Sequence, residues 1–182
     1  MRENLAWAQW WAFPWDYAHE DWKSDKYSVI QALYRSRKIV PAELTGVVTC
    51  LPAPPQPTVL RLALASTEQL DLALRLVHDT FNPEAAGSLS DNHHLWCMRL
   101  SKALPPDMLS CDAEPLQSLY SWVEPATWQR LRLRFIREHV LAVEKTNRKF
   151  ETTNSRLKTL WQAVVWRVTT LASEPQPLGA NE

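Results

Sequence analysis

Metal-ligating side chains gather at one place in this sequence, the run His93-His94-Leu95-Trp96-Cys97. On a helix, His93 and Cys97 stand four apart and share a face, so they could supply two ligands. A tetrahedral structural site takes four, and no further ligand stands nearby at a familiar spacing. The run therefore reads as a histidine pair beside a buried cysteine, with no metal and no cofactor expected. His19, His78 and His139 are isolated. No nucleophile elbow, Walker loop, His-Glu-x-x-His or calcium-loop pattern occurs. Glycine stands only at Gly46, Gly87 and Gly179, which disfavours glycine-rich phosphate loops. A carboxylate pair assembled in three dimensions would leave no trace in the sequence. On the residues that do leave one, the chain is expected not to be an enzyme.

The strongest charged feature is Arg130, Arg132, Arg134 and Arg137. On one continuous helix, Arg130, Arg134 and Arg137 would line a single face. Such a face could grip carboxylates of a partner protein or phosphates of RNA. The plainer alternative is a solvated face balanced by Glu138 and other acids. Twenty basic residues against twenty acidic ones leave a formal net charge of zero, which favours a protein partner over a polyanion. The arginine face is accordingly expected to bind a partner without stabilising the fold, so that reversing Arg130 and Arg134 to glutamate would leave the fold nearly intact.

The elements that must position these residues read as helices. Trp7, Trp10 and Trp11 recur at helical spacing, and Pro14 stops that helix. Ser24 would cap a second helix bearing Tyr27, Ile30, Leu33 and Tyr34, and Pro41 would open a short one through Leu44 and Val48. Pro52 to Pro57 must be an extended connector. Ser66 and Gln69 form a capping-box pattern before a helix from Leu70 to Phe81, which Asn82-Pro83 ends. Ser90 and Asp91 cap the helix of Leu95, Trp96, Met98 and Leu100, closed by Pro105-Pro106. Asp112 would cap another through Leu116, Leu119, Tyr120 and Val123, and Pro125 opens one with Trp128, Leu131 and Phe135. The clearest stripe is the last, Leu157, Leu160, Trp161, Val164, Val165 and Val168.

Two stretches, Val59 to Leu64 and Arg130 to Phe135, alternate with period two as strands do. Their leucine, arginine and alanine favour helix, with one small sheet as the alternative. The expected fold is mostly α: one compact bundle of about six to eight helices with Pro-rich connectors and little or no β. Residues 1–172 form the domain, 52–57 an internal loop, and 173–182 a mobile polar tail. Ten tryptophans, five of them in the first 22 residues, are expected mostly to fill the core. The scattered Cys50, Cys97 and Cys111, with no signal-like start, are expected to be reduced cytosolic thiols. No stretch reaches the roughly 18 apolar residues of a membrane span.

Pro14-Trp15-Asp16-Tyr17-Ala18-His19, after its aromatic-rich start, resembles an N-terminal signature of the K-type (SctK family) sorting-platform subunits of bacterial type III secretion systems. Trp96-Cys97-Met98-Arg99-Leu100-Ser101 and its ending in Leu104-Pro105 are similar to a second segment of that family. The resemblance implies a cytoplasmic, non-enzymatic adaptor recruited to the inner membrane's cytoplasmic face. There it would bridge the cytoplasmic domain of the inner-membrane ring protein (SctD-like) to the pod protein (SctQ-like). Pro14, Tyr17 and His19 would belong to one partner-binding surface, and Arg130, Arg134 and Arg137 to a second, separate one. The alternative from another class is a small helical subunit of a nucleoprotein complex, with the arginines on phosphates.

Overall fold

A computed structural model describes residues 2–23, 32, 36, 46–84, 89–104, 114–146 and 154–171. Eight α-helices and no strands occur among them. In chain order these are α1 (Arg2–Ala12), α2 (Pro57–Leu64), α3 (Thr67–Phe81), α4 (Asp91–Ala103), α5 (Pro115–Trp122), α6 (Pro125–Leu131), α7 (Arg137–Thr146) and α8 (Asn154–Leu171). Three short 3-10 turns, η1 (Pro14–Tyr17), η2 (Glu20–Trp22) and η3 (Arg132–Arg134), complete the framework. The mostly α fold expected from the sequence is the fold observed.

Local chemistry sets most boundaries. Pro57, Pro115 and Pro125 open α2, α5 and α6, where a missing N–H costs nothing. Pro14 likewise opens η1 and ends α1. The capping box at α3 is complete: Gln69 N donates to Ser66 Oγ at 3.3 Å, and Ser66 N donates to Gln69 Oε1 at 2.9 Å. Neither period-two stretch forms a strand: Val59 to Leu64 lies in α2, and Arg130 to Arg134 is helical, with Phe135 extended. In α2 the buried set is Val59, Leu60, Leu62 and Ala63, one face of a helix. Ser90 occupies the cap of α4 without a side-chain bond, and α5 starts at Pro115 behind Glu114. Residues 46–50 are not helical, so a helix from Pro41 does not reach Val48. Gly46 takes a positive φ of 65°, a backbone state that glycine adopts at little steric cost. Ser24, Tyr27, Ile30, Leu33 and Tyr34, the start of the Pro41 helix, Asp112 and the 173–182 tail lie outside the described residues, while Ala32 within the expected Ser24 helix is helical.

α8 is packed against α2, α3 and α5, while α3 also carries α4. Leu157, Leu160, Trp161, Val164, Val165 and Val168 of α8 are all buried. Trp161 Nε1 donates to Ser118 Oγ on α5 at 3.1 Å, so the ring is buried without stranding its N–H. Seven of the ten tryptophans are buried, Trp96 and Trp122 are half-buried, and Trp166 is 57% exposed. No helix among the described residues is long and apolar enough to cross a membrane.

Candidate functional site: a cleft built on the arginine segment

The arginines do not share a helix face. Arg130 closes α6, Arg132 and Arg134 belong to η3, and the chain turns extended at Phe135 before Arg137 starts α7. Arg130 is 3% exposed. Its Nε donates to the Trp11 carbonyl at 3.1 Å, Nη1 to Ala126 O at 2.8 Å and Nη2 to Val48 O at 3.0 Å. The guanidinium lies 4.0 Å from the centre of the Trp11 ring. Burial pushes its pKa down, and the neighbouring Cys50 opposes that shift. The expectation of a solvated, fold-neutral Arg130 is therefore corrected. Its planar fork holds α1, the segment around Val48 and α6 together.

Arg134 acts likewise, about a turn further along the chain. Its Nη1 donates to the Tyr17 carbonyl and its Nη2 to the Ala65 carbonyl. Arg137 and Arg132 place their guanidinium carbons 5.5 and 5.6 Å from the centre of the Trp22 ring. Arg132 also pairs with Glu144 at 2.8 Å, and Trp128 Nε1 donates to that carboxylate at 2.9 Å.

The proline–tyrosine–histidine motif closes the same assembly from the other side. Pro14 is buried, and Tyr17 and His19 are half-buried. His19 N donates to the Leu133 carbonyl at 2.7 Å, and its Nδ1 accepts from Asp21 N at 3.2 Å, capping η2. Trp22 Nε1 donates to Phe135 O at 2.9 Å. The two candidate surfaces are thus one interlocked unit, contrary to the expectation that they stand apart.

At this junction the surface opens into a cleft of about 420 Å³ between α3, the start of α5 and the η3–α7 turn. Leu70, Leu116 and Phe135 are buried in its floor, with Leu74 half-buried and Ile136 39% exposed beside them. Its titratable lining comprises His19, Asp71, Arg75, Glu114, Arg134 and His139. Of the residues singled out from sequence, His19 and Arg134 line the cleft, whereas Pro14, Tyr17, Arg130 and Arg137 do not. Arg75 and Ile136 escaped the sequence reading, and His139 stood there only as an isolated histidine. Only Ile136, an apolar residue inside an arginine-rich stretch, carried a signal.

The histidine–cysteine run lies on α4. Cys97 is fully buried, its Sγ donates to Leu76 O at 3.4 Å, and burial raises its pKa. His93 is half-buried, and burial lowers its pKa, with Arg167 and Arg75 adding to the shift. No cluster of three or more metal-ligating residues occurs among the described residues. Comparisons with protein-family models, curated proteins and solved structures gave no match.

Proposed function

We propose that this chain is a non-enzymatic adaptor of a bacterial type III secretion sorting platform. In this reading it bridges the ring protein's cytoplasmic domain and the pod protein at the cytoplasmic face of the inner membrane. The motif that resembles the K-type subunits supplies the family, and one structural observation supports an interaction role. That observation is the open cleft with apolar side chains in its floor and His19 of the motif in its lining. Clefts of this kind are where helical proteins take partner segments. An adaptor needs a second surface, and the outer face of α8 offers Trp166 at 57% exposure. Tryptophan on the exposed face of an amphipathic helix is the residue type that anchors interfaces. The nucleoprotein alternative loses its main support, because Arg130 and Arg134 spend donors on backbone carbonyls within the chain.

The test is a pair of pull-downs, one with the ring protein's cytoplasmic domain and one with the pod protein, followed by the three-component mixture. Simultaneous binding is expected, with Ile136→Asp and Trp166→Asp each abolishing one partner and sparing the other. Binding to neither partner at low salt would sink the adaptor reading. A salt-sensitive shift of RNA in that case would restore the nucleoprotein one.

A further inference from the structure

Arg134 shares with Arg130 a guanidinium held by carbonyls alone, and of the two only Arg134 lines the cleft. Its interactions within the chain are with carbonyl dipoles, at Tyr17 and Ala65, and no carboxylate of the described residues lies within ion-pair distance. Its Nε–H is sealed from water without a partner, and burial depresses its pKa. A guanidinium offers five donors, and two carbonyl bonds leave its charge unneutralised in a site of reduced dielectric. Such a charge is costly in the free protein, and an incoming anion would relieve that cost. Arg132, by contrast, has Glu144 at 2.8 Å.

From this we infer that the cleft receives a segment of a partner protein that sets a large apolar side chain on the Leu70–Leu116–Ile136 floor and a carboxylate beside Arg134. The inference deepens the adaptor reading and rests on it only in taking the occupant to be a protein segment. Both halves of the occupant follow from the lining. Leu74 and Ile136, only partly covered, are apolar surface that a leucine or phenylalanine would remove from water. Arg75, exposed on α3 and without a carboxylate partner among the described residues, adds a second positive charge to the same cleft. Asp71 and Glu114 are the opposing charges, and both are exposed, where water and salt screen them. Of the two cleft arginines Arg75 is exposed and Arg134 is partly desolvated, so the carboxylate goes to Arg134. The volume of about 420 Å³ holds a few side chains, which suits a short segment and excludes a folded domain.

The experiment is a selection of displayed random dodecapeptides on the full-length chain, followed by binding measurements on individual winners. Enriched peptides should carry an aspartate or glutamate close to a leucine, isoleucine or phenylalanine. Ile136→Asp and Arg75→Glu alter exposed side chains and should melt like the parent. Each should weaken the winners by about tenfold or more. Amidating the winner's carboxylate (Glu→Gln in the peptide) should cause a similar loss. No enrichment, enrichment without an acid, or winners indifferent to both variants would overturn the inference. So would displacement of the winners by inorganic phosphate alone, which would mark a simple anion site. If the ring and pod proteins bind but ignore the cleft variants, this inference fails and the adaptor reading stands. If neither binds while acidic–apolar winners occupy the cleft, the adaptor reading fails and the inference stands.

Discussion

Removing the Arg130 side chain takes a donor from each of the carbonyls of Trp11, Ala126 and Val48 and leaves the Trp11 ring without its cation. Each hydrogen bond to a charged group is worth about 1.5–3 kcal/mol, so the loss of three adds to several kcal/mol. Arg130→Ala should therefore lower the denaturation midpoint sharply, and Arg130→Lys should not restore it, because an ammonium cannot reach three diverging carbonyls from one plane. An unchanged midpoint in Arg130→Ala would show that the guanidinium is not the clasp described. His93 makes a different kind of statement. Its pKa is lowered in the fold, first by burial and then by Arg167 and Arg75. The unfolded chain then takes up the proton first as pH falls, so the contribution is present above about pH 6.5 and lost on acidification towards the depressed folded value. Denaturant titrations should show the parent losing stability below that pH faster than His93→Gln does. Parallel slopes would remove the shift from consideration.

At the scale of elements, α8 is the member on which α2, α3 and α5 converge, and Trp161 is its fully buried centre. Trp161→Ala should cost about 3–5 kcal/mol, through lost burial, an unfilled cavity and one bond to Ser118. The capping box at α3 is smaller, and Ser66→Ala should cost about 1 kcal/mol in the same titration. Both features were legible in the sequence, since a capping box and a stripe of apolar residues are local patterns that need no tertiary knowledge. The arginine segment was not. Nothing in Leu133-Arg134-Phe135-Ile136-Arg137 resembles a helix breaker. The chain turns extended at Phe135, where its carbonyl accepts from Trp22 Nε1, a residue 113 positions away. A tertiary bond overrides helix propensity there, and α7 begins as a separate helix that sequence periodicity had merged with α6. The cleft was invisible for the same reason. Its lining comes from separate stretches of chain that only the turn at Phe135 and Ile136 brings together.

On the scale of the whole molecule, the N-terminal arm is integral to the bundle. Trp7, Trp10, Trp11, Trp15 and Trp22 are buried. The bonds from Arg130 to Trp11 and from Arg134 to Tyr17 span 119 and 117 positions of chain. If the arm lifted away, both guanidinium groups would lose acceptors, and the Phe135 carbonyl would lose its donor. Returning five buried indole rings to water costs on the order of several kcal/mol, which a domain of ordinary stability does not have to spare. Arm and bundle should therefore unfold in one step. Far-UV circular dichroism reports chiefly on the eight helices, while tryptophan emission is weighted to the arm, because five of the seven buried rings lie there. Melting curves from the two probes should superimpose. Trp22→Phe, which keeps a ring but removes the N–H to Phe135, should shift both curves down together. An emission change that precedes the loss of helix would show the arm undocking by itself. Arg130 and Arg134 would then be exposed before the bundle unfolds, and the cleft lined by His19 and Arg134 would not be a preformed site.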